Sequence, residues 1–329
     1  MSGNQLYTFG SSKFETGRWK WAKLAGYTGL VVIIALFPVF LNSGYTLHIL
    51  ILTFIYIVAS VSLRTILISG QFPLAHGAFM GIGAYVAGMA SKWLGWPPWV
   101  SIPSAALVTA GTGMMVGYPF ARLRAMYYAM GSLFFGIGVI QIINAGGVWT
   151  GGYSGLIGIR PLFGVGVSKV FYYYFFLGLA LGSILALYRF ELCRIGTNLK
   201  AIAQSHVVAS SIGINEGCYR ILAVGVGCYF VGLIGASYAH YNLVLSCSDF
   251  DFLSTLWLVM YVLIGGVDSF VGPIIGTAIL ILIPELFRDL KIYAPFVSAV
   301  ILLIVTYLMP RGLVGLPQVL KSLFLERKK

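Results

Sequence analysis

The sequence predicts an all-α protein, a polytopic membrane bundle of about ten crossing helices, and three observations lead there. Of 329 residues, 59% are hydrophobic and only 9% charged, and the mean hydropathy of +0.92 lies well outside the range of a soluble globule. Apolar windows long enough to cross a hydrocarbon core of roughly 30 Å, about 20 residues each, recur along the chain. Basic residues also segregate between alternate connections, which is a topology signal.

Taken in order, residues 1–23 read as a polar tail. It ends in R-W-K-W-A-K, where Trp19 and Trp21 beside Arg18, Lys20 and Lys23 suit an interfacial anchor. The membrane domain is expected over 24–310, with spans near 24–41, 47–68, 72–91, 98–121, 126–145, 170–188, 217–241, 252–266, 270–287 and 292–309. The eighth is short for a full crossing and fits a broken or deeply packed helix. The first is too long for a signal h-region and lacks a small-x-small cleavage pattern, so it is expected to remain as an anchor. Residues 311–329 form a second polar tail.

The net charge of +12 could suit nucleic acid, but its placement argues against that. With the N-terminus inside, Arg64, Arg122, Arg124, Arg189, Arg194, Lys200, Arg220 and both basic tails fall on one side. The other side keeps Lys92, Arg160, Lys169, Arg288 and Lys291. The positive-inside rule then places both termini in the cytoplasm of a bacterial-type inner membrane. Cys193 and Cys218 fall on that reducing side, Cys228 within a span and Cys247 outside, so neither a disulfide nor a metal site is expected. His206 and His240 have no second ligand at i+4.

Glycines such as Gly77, Gly81, Gly83 and Gly88 sit inside spans at close spacing, a pattern that lets helices approach within one bundle. Two Gly-rich turns that each precede a Gly-spaced span, from Ile68 and from Ile264, could be corresponding points of two structural halves. The long outer connection at 146–169 contains T-G-G-Y-S-G-L-I-G-I-R-P-L-F-G and reads as a flexible loop or, preferably, a partly ordered gate.

Ionisable groups deep in the spans are almost absent, whereas proton- or sodium-coupled carriers generally need them near the midplane. The spans offer His48, His76, Gln141, Asn144 and scattered hydroxyls. Gln141 and Asn144 share a helix face and are candidates for a solute path, with interhelical hydrogen bonding as the alternative. His76 reads as a capping or packing residue. No H-E-x-x-H, G-x-S-x-G or phosphate-loop pattern occurs, so the chain is not expected to be an enzyme or to bind ATP itself.

One stretch departs from the rest, the polar run R-F-E-L-C-R-I-G-T-N-L-K-A-I-A-Q-S-H-V-V-A-S-S-I-G-I-N at 189–215. Gly196, Thr197 and Asn198 offer a stop and an N-cap, Leu199, Ile202, Ala203 and Val207 recur at helical spacing, and Gly213 suits a C′ position. These features predict one amphipathic cytoplasmic helix, either a handle for a soluble partner protein or a helix lying on the membrane surface.

Several stretches carry a family resemblance. They are P-L-A-H-G-A-F-M-G-I-G-A-Y from Pro73, Y-P-F-A-R-L-R-A-M-Y-Y-A from Tyr118, T-G-G-Y-S-G-L from Thr150, and R-I-G-T-N-L-K-A-I-A with S-I-G-I-N across the polar run. F-D-F-L-S-T from Phe250, L-I-G-G-V-D-S-F-V-G-P-I-I-G from Leu263 and M-P-R-G-L-V-G from Met309 follow. Across 63–316 the chain resembles permease subunits of branched-chain amino acid ABC importers, notably the M type of the leucine-isoleucine-valine permeases. The resemblance implies a type II ABC importer bundle in which 199–212, flanked by Arg194 and Gly213, is a coupling helix. Arg194, Gly196, Leu199, Lys200, Ile202, Ala209 and Gly213 are then the ATPase-coupling residues. Gln141, Asn144, Thr150, Gly151, Gly152 and Tyr153 are the path candidates. The implied partners are a second related permease, two cytoplasmic ATPases that bind ATP and Mg, and a periplasmic binding protein. The expected solute is a branched-chain or other small hydrophobic amino acid, with urea, aromatic acids or amides as alternatives. A secondary transporter or channel working alone is the rival class. Departures from the family pattern include Gln204, Ser205 and His206 in the coupling stretch, Ala125 and Met126 after R-L-R, F-G-I-G near Ile137, and Tyr153 with Ser154.

Overall fold

A computed structural model describes residues 35–38, 43–123, 125–164, 166–286 and 303. The chain divides into a short unit, Met1–Thr46, in which 35–38 form a helical turn, and a main unit, Leu47–Lys329. Its described helices are α1 (Gly44–Leu67), α2 (His76–Trp93), α3 (Pro98–Phe120), α4 (Ala125–Ala145), α5 (Lys169–Leu192), α6 (Arg194–Gln204), α7 (His206–Ser211), α8 (Glu216–Asn242), α9 (Phe252–Gly265) and α10 (Gly272–Leu286). A two-stranded antiparallel pair joins β1 (Leu156–Ile157) to β2 (Val244–Leu245). The all-α membrane bundle expected from hydropathy is therefore the fold. Eight of the anticipated spans coincide with α1–α5 and α8–α10, while the first lies mostly, and the tenth almost wholly, outside the described residues.

Among the described residues, six helical stretches are long and apolar enough to cross a membrane: α1, α3, most of α4, α5, α8 and the composite Cys247–Gly265. Helix α2 is glycine-rich, and most of its residues are buried. It packs against α8 and α3 at the centre. Small residues allow this: a Cβ on Gly83 would overlap the Gly232 carbonyl, and one on Gly235 the Met80 carbonyl. Proline marks the boundaries. Pro97 is extended, at φ −67° and ψ 151°, and Pro98 opens α3 at N1 where its missing N–H costs nothing.

Several polar side chains inside the bundle pair across helices. The His240 Nδ1 donates to the Arg160 carbonyl at 2.8 Å and its Nε2 lies 2.7 Å from Ser101 Oγ, so this histidine fastens α8 to α3 and to the 146–168 connection. Ser60 and Thr277 hydroxyls meet at 2.7 Å, and His76 Nε2 stands 2.9 Å from Ser62 Oγ. In an apolar medium such bonds act as interhelical glue.

Two interruptions break the helical pattern. The first is the α6–α7 region. The second is the upper part of the eighth crossing, in which a 3-10 turn at Cys247–Phe250 and an extended Asp251 (ψ 170°) precede α9, itself only 14 residues long. From Leu245, through the 3-10 turn and extended Asp251, to Thr255 in the first turn of α9, the chain runs along α2, touching Gly88, Tyr85, Gly81 and Gly77 in turn. That path covers about 16 Å of α2 at 1.5 Å per residue.

Candidate coupling site

Helix α5 ends at Leu192, and Cys193, extended at ψ 173°, caps it through an N–H bond to the Arg189 carbonyl while opening α6. The two helices are therefore joined by a single residue, and α6 turns sharply back. Gly196 makes the turn possible: a Cβ there would overlap the Glu191 backbone carbonyl. Helix α6 begins at Arg194, so Asn198 lies within it, in place of the N-cap role expected from sequence. The Cys193 side chain gives no cap.

The expected single helix is two. Ser205 is extended, at φ −158° and ψ 106°, and its Oγ accepts the Val208 N–H at 3.4 Å, stopping α6 and capping α7. This break shifts the helical register. Leu199, Ile202 and Ala209 are buried, as is Gly196. Val207, expected on the same inward face, is exposed because the phase set by α6 does not carry through Ser205; Ala203, still within α6, is exposed as well. Gly213 stands at C′ with φ +84°; its N–H bonds Ser210 O at 3.0 Å and that of Ile214 bonds Ala209 O at 3.1 Å, a Schellman closure. Asn215 then caps α8, its Oδ1 accepting the Cys218 N–H at 3.2 Å.

The outer face of this helix pair is apolar where solvent would be expected. Val207, Val208 and Ile212 are 63%, 61% and 71% exposed. Arg194, at the start of α6, is also exposed.

A charge cluster fixes the inner face. Glu191, in the last turn of α5 and 8% exposed, receives both terminal guanidinium nitrogens of Arg64, which is 1% exposed; Nη1 bonds Oε2, and Nη2 reaches Oε1 at 3.1 Å. Lys200 of α6 bonds Oε1 at 2.7 Å. Arg64 also donates through Nε to the Val267 carbonyl at 2.7 Å and through Nη2 to that of Asp268 at 3.5 Å, with its Cζ 5.6 Å from the Phe270 ring centroid. A carboxylate at a helix C-terminus opposes the helix dipole, and two cations offset that here. Sequence reasoning missed Glu191. The signal was present, since it is the acidic residue between Arg189 and Arg194 in an otherwise apolar helix end. At the far end of the loop, Arg220 pairs with Glu216 at 2.5 Å and donates to Ala121 O at 3.3 Å, tying α8 to the end of α3.

The path candidates gather at the other end of the bundle. Thr150 Oγ1 donates to Ile143 O at 2.6 Å and accepts the Gly152 N–H at 3.3 Å, closing α4 onto the T-G-G turn. Gly151, at φ +78°, has no room for a Cβ against the Gly155 carbonyl. Through β1 this turn pairs with Leu245, and Cys247 Sγ reaches Gly152 O at 3.8 Å. The first part of the 146–168 connection packs onto the bundle, with Leu156, Ile159 and Leu162 buried. Asn144 is half-buried and its Oδ1 has no partner, whereas Gln141 and Tyr153 are exposed. A cleft of about 10 Å³, lined by Leu74, Ala78, Gly136, Ile140, Phe252 and Thr255 among others, is too small for an amino acid. Among the described residues no group of His, Cys, Asp and Glu converges to hold a metal ion.

A bundle of helices long and apolar enough to cross a membrane, with one polar helix pair pinned against it by buried charge, defines the class of helical membrane proteins. The chain belongs to the family described as branched-chain amino acid transport system, permease component, whose model matches residues 45–310. It is 27% identical over 312 residues to the high-affinity branched-chain amino acid transport system permease protein LivM of Salmonella typhimurium, covering 86% of this chain and 73% of that protein. The LivM protein of Escherichia coli matches at the same identity and coverage. No solved structure matches the chain.

Proposed function

We propose that this chain is the permease subunit of an ATP-driven importer for branched-chain or other small hydrophobic amino acids or related solutes, in a bacterial-type inner membrane. Both termini and the α6–α7 pair lie on the cytoplasmic side, as the basic residues favour. A second, related permease completes the transmembrane pathway, a periplasmic binding protein delivers solute, and two cytoplasmic ATPases hold ATP and Mg. The chain itself binds no cofactor. ATP-driven closure of the ATPases moves α6–α7, and the bundle alternates between outward- and inward-open states.

The observation that carries this reading is the two-sided character of α6–α7. Leu199, Ile202 and the Lys200–Glu191 pair fasten it to the bundle, while Val207, Val208 and Ile212 stand bare on the opposite side. Exposed aliphatics clustered in a polar loop mark a protein contact surface. The test is Val208→Asp in the assembled importer. It is expected to strip the ATPase subunits during purification and to abolish uptake; full ATPase retention with wild-type uptake would refute the docking role.

A further inference from the structure

Beyond a docking surface, a coupling element needs a rigid route into the membrane. We propose that Glu191 is a positioning residue that passes displacement of α6 to Arg64, and through Arg64 to the α9–α10 turn and the non-helical half of the eighth crossing. The inference rests on the ATPase-coupling reading of α6–α7 and specifies the path by which that site acts.

Three elements meet at one carboxylate, and a fourth is reached through Arg64. Glu191 belongs to α5, Lys200 to α6 and Arg64 to α1, and Arg64 in turn holds the Val267 and Asp268 carbonyls of the turn that follows α9. A bidentate guanidinium–carboxylate contact fixes direction as well as distance, and at 1% and 8% exposure these two groups have no water to re-pair with. The turn they hold is tight. A Cβ on Gly265 would overlap the Gly272 carbonyl, and one on Gly276 the Tyr261 carbonyl, so α9 and α10 move together. Helix α9 spans only Phe252–Gly265, and its other end rests on α2, where the Gly77 N–H donates to Thr255 Oγ1 at 3.0 Å. Directly before it lies the 3-10 turn on Gly81 and Tyr85, whose contact with the T-G-G turn is at Cys247 and Gly152. A shift at Lys200 therefore has a continuous chain of polar and backbone contacts to the opposite end of the bundle.

The half-exposed Lys200 is the place to cut this chain without unpairing the Arg64–Glu191 core. The experiment uses the complete importer, with binding protein and ATPases, in proteoliposomes. Every variant also carries Val208→Cys as a cross-linking marker for ATPase docking, with native Cys193 and Cys218 replaced by Ser. Lys200→Met is expected to lower solute taken up per ATP hydrolysed about tenfold, within the range of a coupling free energy, while the cross-link still forms. Lys200→Arg is expected to restore the ratio. A Lys200→Met complex that cross-links and keeps the wild-type ratio overturns the relay and leaves docking standing, and so does equal loss in Lys200→Met and Lys200→Arg. Absence of the cross-link in the Lys200 parent overturns the docking reading and the relay with it.

Discussion

The two interruptions of the helical bundle solve the same problem in opposite ways. At α6–α7 the chain leaves the apolar layer, satisfies its backbone with caps at Ser205, Gly213 and Asn215, and is held by charge through Lys200, Glu191 and Arg64. Between Leu245 and Asp251 the chain stays within the bundle. There its polar groups bond locally, Ser246 with Asp249 and Leu245 with β1, and it lies against glycines of α2. Non-helical backbone at membrane depth is tolerated only where protein or a wet cavity covers it. The comparison teaches that buried charge anchors the polar helix pair, whereas close packing on glycine anchors the irregular stretch that stays within the bundle.

The largest effect is expected where charge is both buried and shared. Glu191→Ala leaves the Arg64 guanidinium buried without its carboxylate, and is expected to destabilise the protein by about 3–5 kcal/mol, read as a fall in the melting temperature of the detergent-purified subunit. A stability change near zero would break the comparison at its charged end. Gly81→Leu tests the packed end, because a Cβ at Gly81 already stands 3.0 Å from Phe250 Cβ. Forced overpacking there is expected to cost about 1–3 kcal/mol, read as a fall in the same melting temperature, and to reduce uptake by the complete importer in proteoliposomes.

Much of the fold was legible because a span announces itself by length and apolarity alone. The α6–α7 region was nearly as plain, since its polar composition, Gly196 and Gly213 all stand in sequence order. What sequence could not reveal was the phase break. Ser205 halts α6 by its own backbone angles, and a single residue out of helix turns Val207 from the buried face to the exposed one. Nor could hydropathy distinguish the non-helical Cys247–Asp251 stretch from the start of a short span, because its support comes from Gly81, Tyr85 and Leu156, all distant in the chain. Glu191 was hidden for the same reason: its partners, Arg64 and Lys200, come from two other helices.

Smaller effects sharpen the contrast. Gly213→Ala places a Cβ at φ +84°, a left-handed conformation that costs an L-residue about 1–2 kcal/mol, and should loosen the end of α7, detectable as faster proteolysis of the 205–215 stretch. Least of all, Lys200→Met should change global stability by no more than about 1 kcal/mol, the scale of a surface ion pair, since its side chain is 47% exposed. The same substitution is expected to have a large effect on coupling, so a melting curve and an uptake assay on one variant separate holding from transmitting.

The central claim is that this subunit owns no source of energy and is driven through α6–α7. Solute accumulation in proteoliposomes, compared between the permease pair alone and the pair with its ATPases, binding protein and ATP, tests it most directly. Uphill uptake only in the complete, ATP-supplied system is the predicted result; uphill uptake by the permeases without the ATPases would contradict it.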